Sequence, residues 1–164
     1  MTEISTPLGF ERHDHVHCVD QGLLSAEQRC AEQGLRLTPV RRKVLELLLQ
    51  EHRALRAYAI LELLREAGFG SQPPVAYRAL DFLVEHGFAH KIEKLNAFVA
   101  CAYPGEAHSP AFMICRKCDA IAEAHSAPAR GILGVAARAS GFQIEKTMVE
   151  AEGLCPSCTD QPDA

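Results

Sequence analysis

Two Cys-x-x-Cys pairs, Cys115-Arg-Lys-Cys118 and Cys155-Pro-Ser-Cys158, constrain this chain more than any other feature. A two-residue spacer lets both sulfurs of a pair reach one ion from a tight turn. Two such pairs can set four thiolates around one tetrahedral Zn²⁺. The fold must then carry two distant segments to the same point. A site closed by four sulfurs is structural and has no open position for chemistry, so the function is expected elsewhere. Two redox motifs or two disulfides are the alternative.

The chain has 164 residues, nearly half of them hydrophobic, enough for one large or two small domains. Its first residues lack the basic start and apolar run of a signal peptide, and no segment approaches a membrane span. Seven cysteines in such a chain favour metal ligation over disulfides, with the cytoplasm as the expected compartment. The net charge of −4 is unevenly spread. From Asp20 to Cys101 there are eleven Lys/Arg against ten Asp/Glu, with a basic cluster at Arg36, Arg41, Arg42 and Lys43. From Ala102 onward there are five against eight, so a local DNA-facing surface is permitted in the first half.

The periodicity predicts a helix over 25–32, ended by Gly34, after a polar His-containing tail over 1–19. A second helix starts at Thr38-Pro39, where Thr38 caps and Pro39 suits the first helical position. A third spans Ala57 to Ala67, and a fourth runs from Pro73-Pro74 to His86, closed by Gly87. On the fourth, Ala76, Ala79, Leu80, Leu83 and Val84 form the apolar stripe, with Tyr77, Arg78, Asp81 and Glu85 off it. After Gly87 the period changes to two, and 88–92 with 97–101 reads as a β-hairpin. Helices followed by a hairpin is the pattern of a winged helix over 20–101, with the last helix as the DNA reader. A hinge follows over 102–108. Beyond it, strands over 111–115 and 120–125, a helix over 126–140 with Ser126 as its cap, and a strand over 142–152 make a small α/β domain over 109–164. A unit of that size needs a zinc staple or dimerisation to be stable. The expected fold class is thus α+β: an N-terminal winged helix, then a zinc-stapled dimerisation domain.

Arg36-Leu-Thr-Pro-Val-Arg41, Pro73-Pro-Val-Ala-Tyr-Arg-Ala-Leu80, Gly87-Phe-Ala-His-Lys-Ile92 and the two cysteine pairs together resemble the ferric uptake regulator family, most closely its zinc-sensing branch. The resemblance covers roughly 25–158. Two departures stand out. Val75 and Ala76 replace the Thr and Val usual in the family's reading helix. The segment His108-Ser-Pro-Ala-Phe-Met-Ile-Cys115 holds one histidine where the iron-sensing branch has a His-His-Asp-His run.

The resemblance implies a second, regulatory metal site on His90, Cys101, His108 and Glu123, with His125 as the alternative to Glu123. Mixed nitrogen, sulfur and oxygen donors suit Zn²⁺, and a thiolate disfavours Mg²⁺ or Mn²⁺. Two zinc ions per chain are expected. A third metal site, or a transfer arm, is a candidate at His13, His15, His17 and Cys18, where an extended segment would align the imidazoles. The candidate DNA contacts are Arg78, placed to reach guanine O6 and N7, Tyr58 and Tyr77 on thymine methyls or phosphates, and Arg36, Arg42 and Lys91 on the backbone. The expected function is a homodimeric, zinc-responsive repressor of zinc-uptake genes that binds a palindromic double-stranded operator. No enzymatic or membrane role is expected. An iron- or peroxide-sensing regulator of the same family and a zinc-stapled protein-interaction module are the alternatives.

Overall fold

Val16, Val19, Leu23, Ala26 and Cys30 recur every three to four residues and make one helix, α1 (His15–Glu32). Helix α1 begins ten residues before the predicted start, well inside the predicted tail. It ends in a reversal at Gly34, where the Leu35 N–H donates to the Cys30 carbonyl at 2.8 Å. Helix α2 (Pro39–Leu49) follows, with the Thr38 hydroxyl accepting from the Arg41 N–H at 3.4 Å. Next come α3 (Ala57–Glu66) and α4 (Pro73–Glu85). The computed structural model describes residues 9–10, 15–51, 53–70, 72–126 and 131–160. They fall into two compact units, one over residues 12–105 and the other holding 106–160 with Gly9 and Phe10.

In the first unit Val44, Leu48, Ile60, Leu64, Leu80 and Leu83 are almost wholly buried, each stabilising the fold by about 1.5–3 kcal/mol. The chain reverses at Gly87 (φ 74°) into a hairpin of β1 (Ala89–Ile92) and β2 (Ala97–Ala100). Ala89 pairs with Ala100 and His90 with Val99. Leu55 adds a bridge to the outer side of the hairpin, exchanging both backbone bonds with Phe98 at 2.8 Å. This is the winged-helix arrangement of helices followed by a tethered two-stranded wing.

The second unit is a three-stranded sheet of order β4-β3-β5. Strands β3 (Ser109–Cys115) and β4 (Ile121–Ser126) are antiparallel, while β5 (Val149–Gly153) lies parallel to β3 on its other edge. Phe112, Ile114 and Ile121 are its large buried side chains among the described residues. Helix α5 (Ile132–Ser140) is capped at Gly131, and Ser126 belongs to β4 opposite Ser109 rather than capping a helix. The predicted strand over 142–152 is realised only at its end, because β3 offers partners to residues 149–153 alone. A short helix, α6 (Pro156–Thr159), follows Cys155.

Candidate metal centres and nucleic-acid interface

The β3–β5 register assembles the cysteine cluster. Cys115 ends β3 and pairs with Gly153, two residues before Cys155. The chain turns after Cys115 through Asp119, whose φ is 58°, and the Asp119 N–H returns to the Cys115 carbonyl at 3.0 Å. The second pair turns through α6, with the Cys158 N–H on the Cys155 carbonyl at 3.0 Å. The four sulfurs lie within 4.8 Å of one another, and Cys118 Sγ is 3.6 Å from Cys155 Sγ. A disulfide needs about 2.0 Å. A tetrahedron with Zn–S of about 2.3 Å has edges of about 3.8 Å, which these separations fit.

The ionisation pattern fits the same group. Burial pushes the Cys115 thiol up, but backbone N–H groups of Cys155, Cys118 and Lys117 together prevail and hold it down to about 6. At Cys118 the Ala120 N–H works downward, yet burial and the sulfurs of Cys115 and Cys155 raise it overall. Cys158 is pushed up to about 12 by burial, then by its sulfur neighbours and the Cys115 charge. One thiolate forms readily, and further ones need a cation.

The sheet unit also carries a buried carboxylate. Glu123 on β4 is 4% exposed, and its Oε1 lies 2.7 Å from His108 Nε2. His108 Nδ1 lies 2.8 Å from the Glu106 carbonyl oxygen, which only accepts, so Nδ1 carries the proton. In the neutral ring Nε2 then presents its lone pair to Glu123. Two acceptors at that distance require a proton or a metal cation to reconcile them. A backbone carbonyl on Nδ1 with Nε2 left basic is how metal-ligating imidazoles are commonly oriented. The side chain of His125, the alternative donor, lies outside the described residues.

In the winged helix, His90 and Cys101 stand on one face of the hairpin as diagonal neighbours. A ring nitrogen and the thiol come within 4.8 Å of each other. The Cys101 N–H donates to the Phe88 carbonyl at 2.9 Å, and Cys101 is 6% exposed. The candidate tail site is not built as expected. His17 and Cys18 lie exposed on α1, which begins at His15, and helical residues two apart point about 200° apart rather than in line. His13 and the His15 side chain lie outside the described residues.

Of the candidate DNA contacts, Tyr58, Tyr77 and Lys91 line one open groove of about 770 Å³ between the start of α3, the outer face of α4 and the wing. Arg78 is exposed on α4, and Arg36 is exposed before α2 with its carbonyl accepting from Arg41 Nη1 at 2.7 Å. Arg42 is engaged within the unit: its Nε donates to Glu27 at 2.7 Å. Lys91 pairs with Glu93 at 3.3 Å. The sequence reading missed Arg56 and Lys94, two further cations lining the groove, because neither falls in a motif.

The sequence profile of the Ferric uptake regulator family matches residues 32–152, and the chain belongs to that family. It is 41% identical over 139 residues to the Zinc uptake regulation protein of Escherichia coli (strain K12), covering 84% of this chain and 81% of the relative. Among solved structures it is similar to a Zinc Uptake Regulator complexed with zinc and DNA, at 40% identity and a TM-score of 0.82, covering 87% of this chain and 95% of that one. It is also similar to holo XcZur, at 40% identity and a TM-score of 0.78, covering 87% and 99%.

Proposed function

We propose that this chain is a zinc-responsive, DNA-binding transcriptional repressor of zinc-uptake genes, acting as a homodimer on a palindromic operator. Zinc serves as corepressor at His90, Cys101, His108 and Glu123, and a second zinc is structural at Cys115, Cys118, Cys155 and Cys158. The observation that carries the reading is the buried His108–Glu123 pair, whose facing acceptors suit a cation. Cys101 supplies the thiolate that selects zinc over harder dications. His90 and Cys101 belong to the winged helix, and His108 and Glu123 to the sheet unit. Bound zinc would therefore tie donors from two separately folded units.

On DNA, Arg78 reads guanine from α4, Tyr58 and Tyr77 meet thymine methyls or phosphates, and Arg36 and Lys91 position the protein on the backbone. Arg42, held by Glu27, contributes at most a secondary phosphate contact. The exposed apolar residues Ile132, Leu133, Val135 and Phe142 support pairing with a second copy. Zinc acts by population shift, binding the DNA-competent form more tightly than the other. By linkage, operator DNA raises zinc affinity by the same factor. The test is duplex binding across buffered free zinc, for the wild type and Cys101→Ser. The variant should stay folded and lose zinc-dependent binding; wild-type zinc dependence in Cys101→Ser refutes the assignment. Competition between Zn²⁺ and Fe²⁺ on the same assay separates zinc from iron sensing.

A further inference from the structure

Arg29 sits in the last turn of α1. Its guanidinium lies over the Phe88 ring at 4.7 Å. Phe88 in turn stacks on Phe82 at 6.4 Å, and Arg41 of α2 lies over the Phe82 ring at 3.8 Å. The result is an Arg–Phe–Phe–Arg ladder through the winged helix, joining α1, α2, α4 and the start of the wing. One nitrogen, Arg29 Nη1, is buried with no hydrogen-bond partner among the described residues. A cation placed so is held by the ring face and by packing rather than by a carboxylate.

Two contacts on this ladder concern the segment from Cys101 to Gly105. At one end the Cys101 N–H donates to the Phe88 carbonyl. At the other, Gly105 passes so close to Arg29 that a Cβ there would stand 3.3 Å from Arg29 Nε, at a φ of 89° that disfavours any side chain. Both ends of this short strap are thus fixed on the same Arg29–Phe88 pair.

We propose that Arg29 is a positioning residue for Cys101: by stacking on Phe88 and backing Gly105, it fixes the strap and aims the Cys101 thiol. The inference rests on Cys101 being a regulatory zinc donor. Arg29 touches neither metal nor DNA in this account and acts through Phe88 and Gly105.

The experiment compares wild type, Arg29→Met and Arg29→Lys as full chains carrying one equivalent of zinc, enough for the four-sulfur site. Hydrogen exchange is read at the Cys101 amide and at Leu80 and Leu83 of α4, and affinity for a second zinc is measured by chelator competition. In Arg29→Met the Cys101 amide should exchange about tenfold faster, with the α4 amides unchanged and the second zinc bound about tenfold more weakly. Arg29→Lys, which keeps the cation, should recover most of both losses. Unchanged Cys101 exchange in Arg29→Met overturns the inference, as does a parallel rise at Leu80 and Leu83, which would mark simple loss of stability. Should Arg29→Met fail to fold, Gly105→Ala perturbs the other end of the strap, and unchanged Cys101 exchange there is equally fatal. A Cys101→Ser protein that binds the second zinc as wild type removes the metal reading itself, and the inference with it. The exchange result speaks for Arg29 alone.

Discussion

Replacing Cys115 with serine tests what holds the sheet unit together. Its large buried side chains among the described residues are Phe112, Ile114 and Ile121. Their burial supplies roughly 5–9 kcal/mol, against an ordering cost of about 1–2 kcal/mol for every residue fixed. A structural zinc contributes about 10–16 kcal/mol of apparent folding free energy. The ion therefore outweighs the apolar core, and a site with three thiolates cannot hold it at full strength. The winged helix has its own core at Val44, Leu48, Ile60, Leu64, Leu80 and Leu83, and should not follow. The assay is amide exchange read residue by residue, with zinc counted per chain. In Cys115→Ser, Phe112 and Ile114 should lose protection and one zinc should be lost, while Leu80 and Leu83 exchange as before. If the variant lacks that zinc and yet keeps β3 fully protected, the sheet unit stands without its staple and the reasoning fails.

Loading the metal-free four-sulfur site near neutral pH should release at least two protons, because Cys118 and Cys158 are raised and still protonated there while Cys115, at about 6, is not. Coordination requires thiolates, so affinity falls as pH falls; calorimetry in buffers of different ionisation enthalpy gives the count, and a smaller release contradicts the assignment. Arg78→Ala should cost about 1–3 kcal/mol of operator affinity and relax discrimination at one base pair. Arg42→Ala should cost far less operator affinity, since its guanidinium is already engaged by Glu27 within the winged helix; equal losses in duplex titrations would show that Arg42 leaves Glu27 for DNA. Ile132 is 91% exposed on the single chain, and Ile132→Asp should shift the protein toward monomer in sedimentation. An unchanged association constant would place the interface elsewhere.

Helices α3 and α4 were legible within a residue or two because each has a periodic apolar stripe and a glycine stop, and two prolines also open α4. The start of α1 was not. Val16 and Val19 continue its stripe, but the histidines among them masked the period, and Val16 is 71% exposed, so burial marks it only weakly. The strand over 142–152 failed for another reason. Alternation allows a strand, but a strand exists only where a neighbour offers its backbone, and nothing local in sequence says that β3 pairs with 149–153 alone. Spacing alone was enough to group the four cysteines, whereas the proposed regulatory donors His90, Cys101, His108 and Glu123 were reachable only through the family resemblance. The Glu106 carbonyl that orients His108 leaves no mark in a side-chain alphabet.

The pairing of Cys115 with Gly153 sets a rule for how such chains can diverge. The four-sulfur site sets no length between β4 and β5, since for it only the arrival of β5 in register matters. From Gly153 to Cys155 it has no such freedom. One residue inserted there would advance the second cysteine pair by a strand step and turn it to the opposite side of the sheet. Natural insertions and deletions should therefore be absent from those three positions.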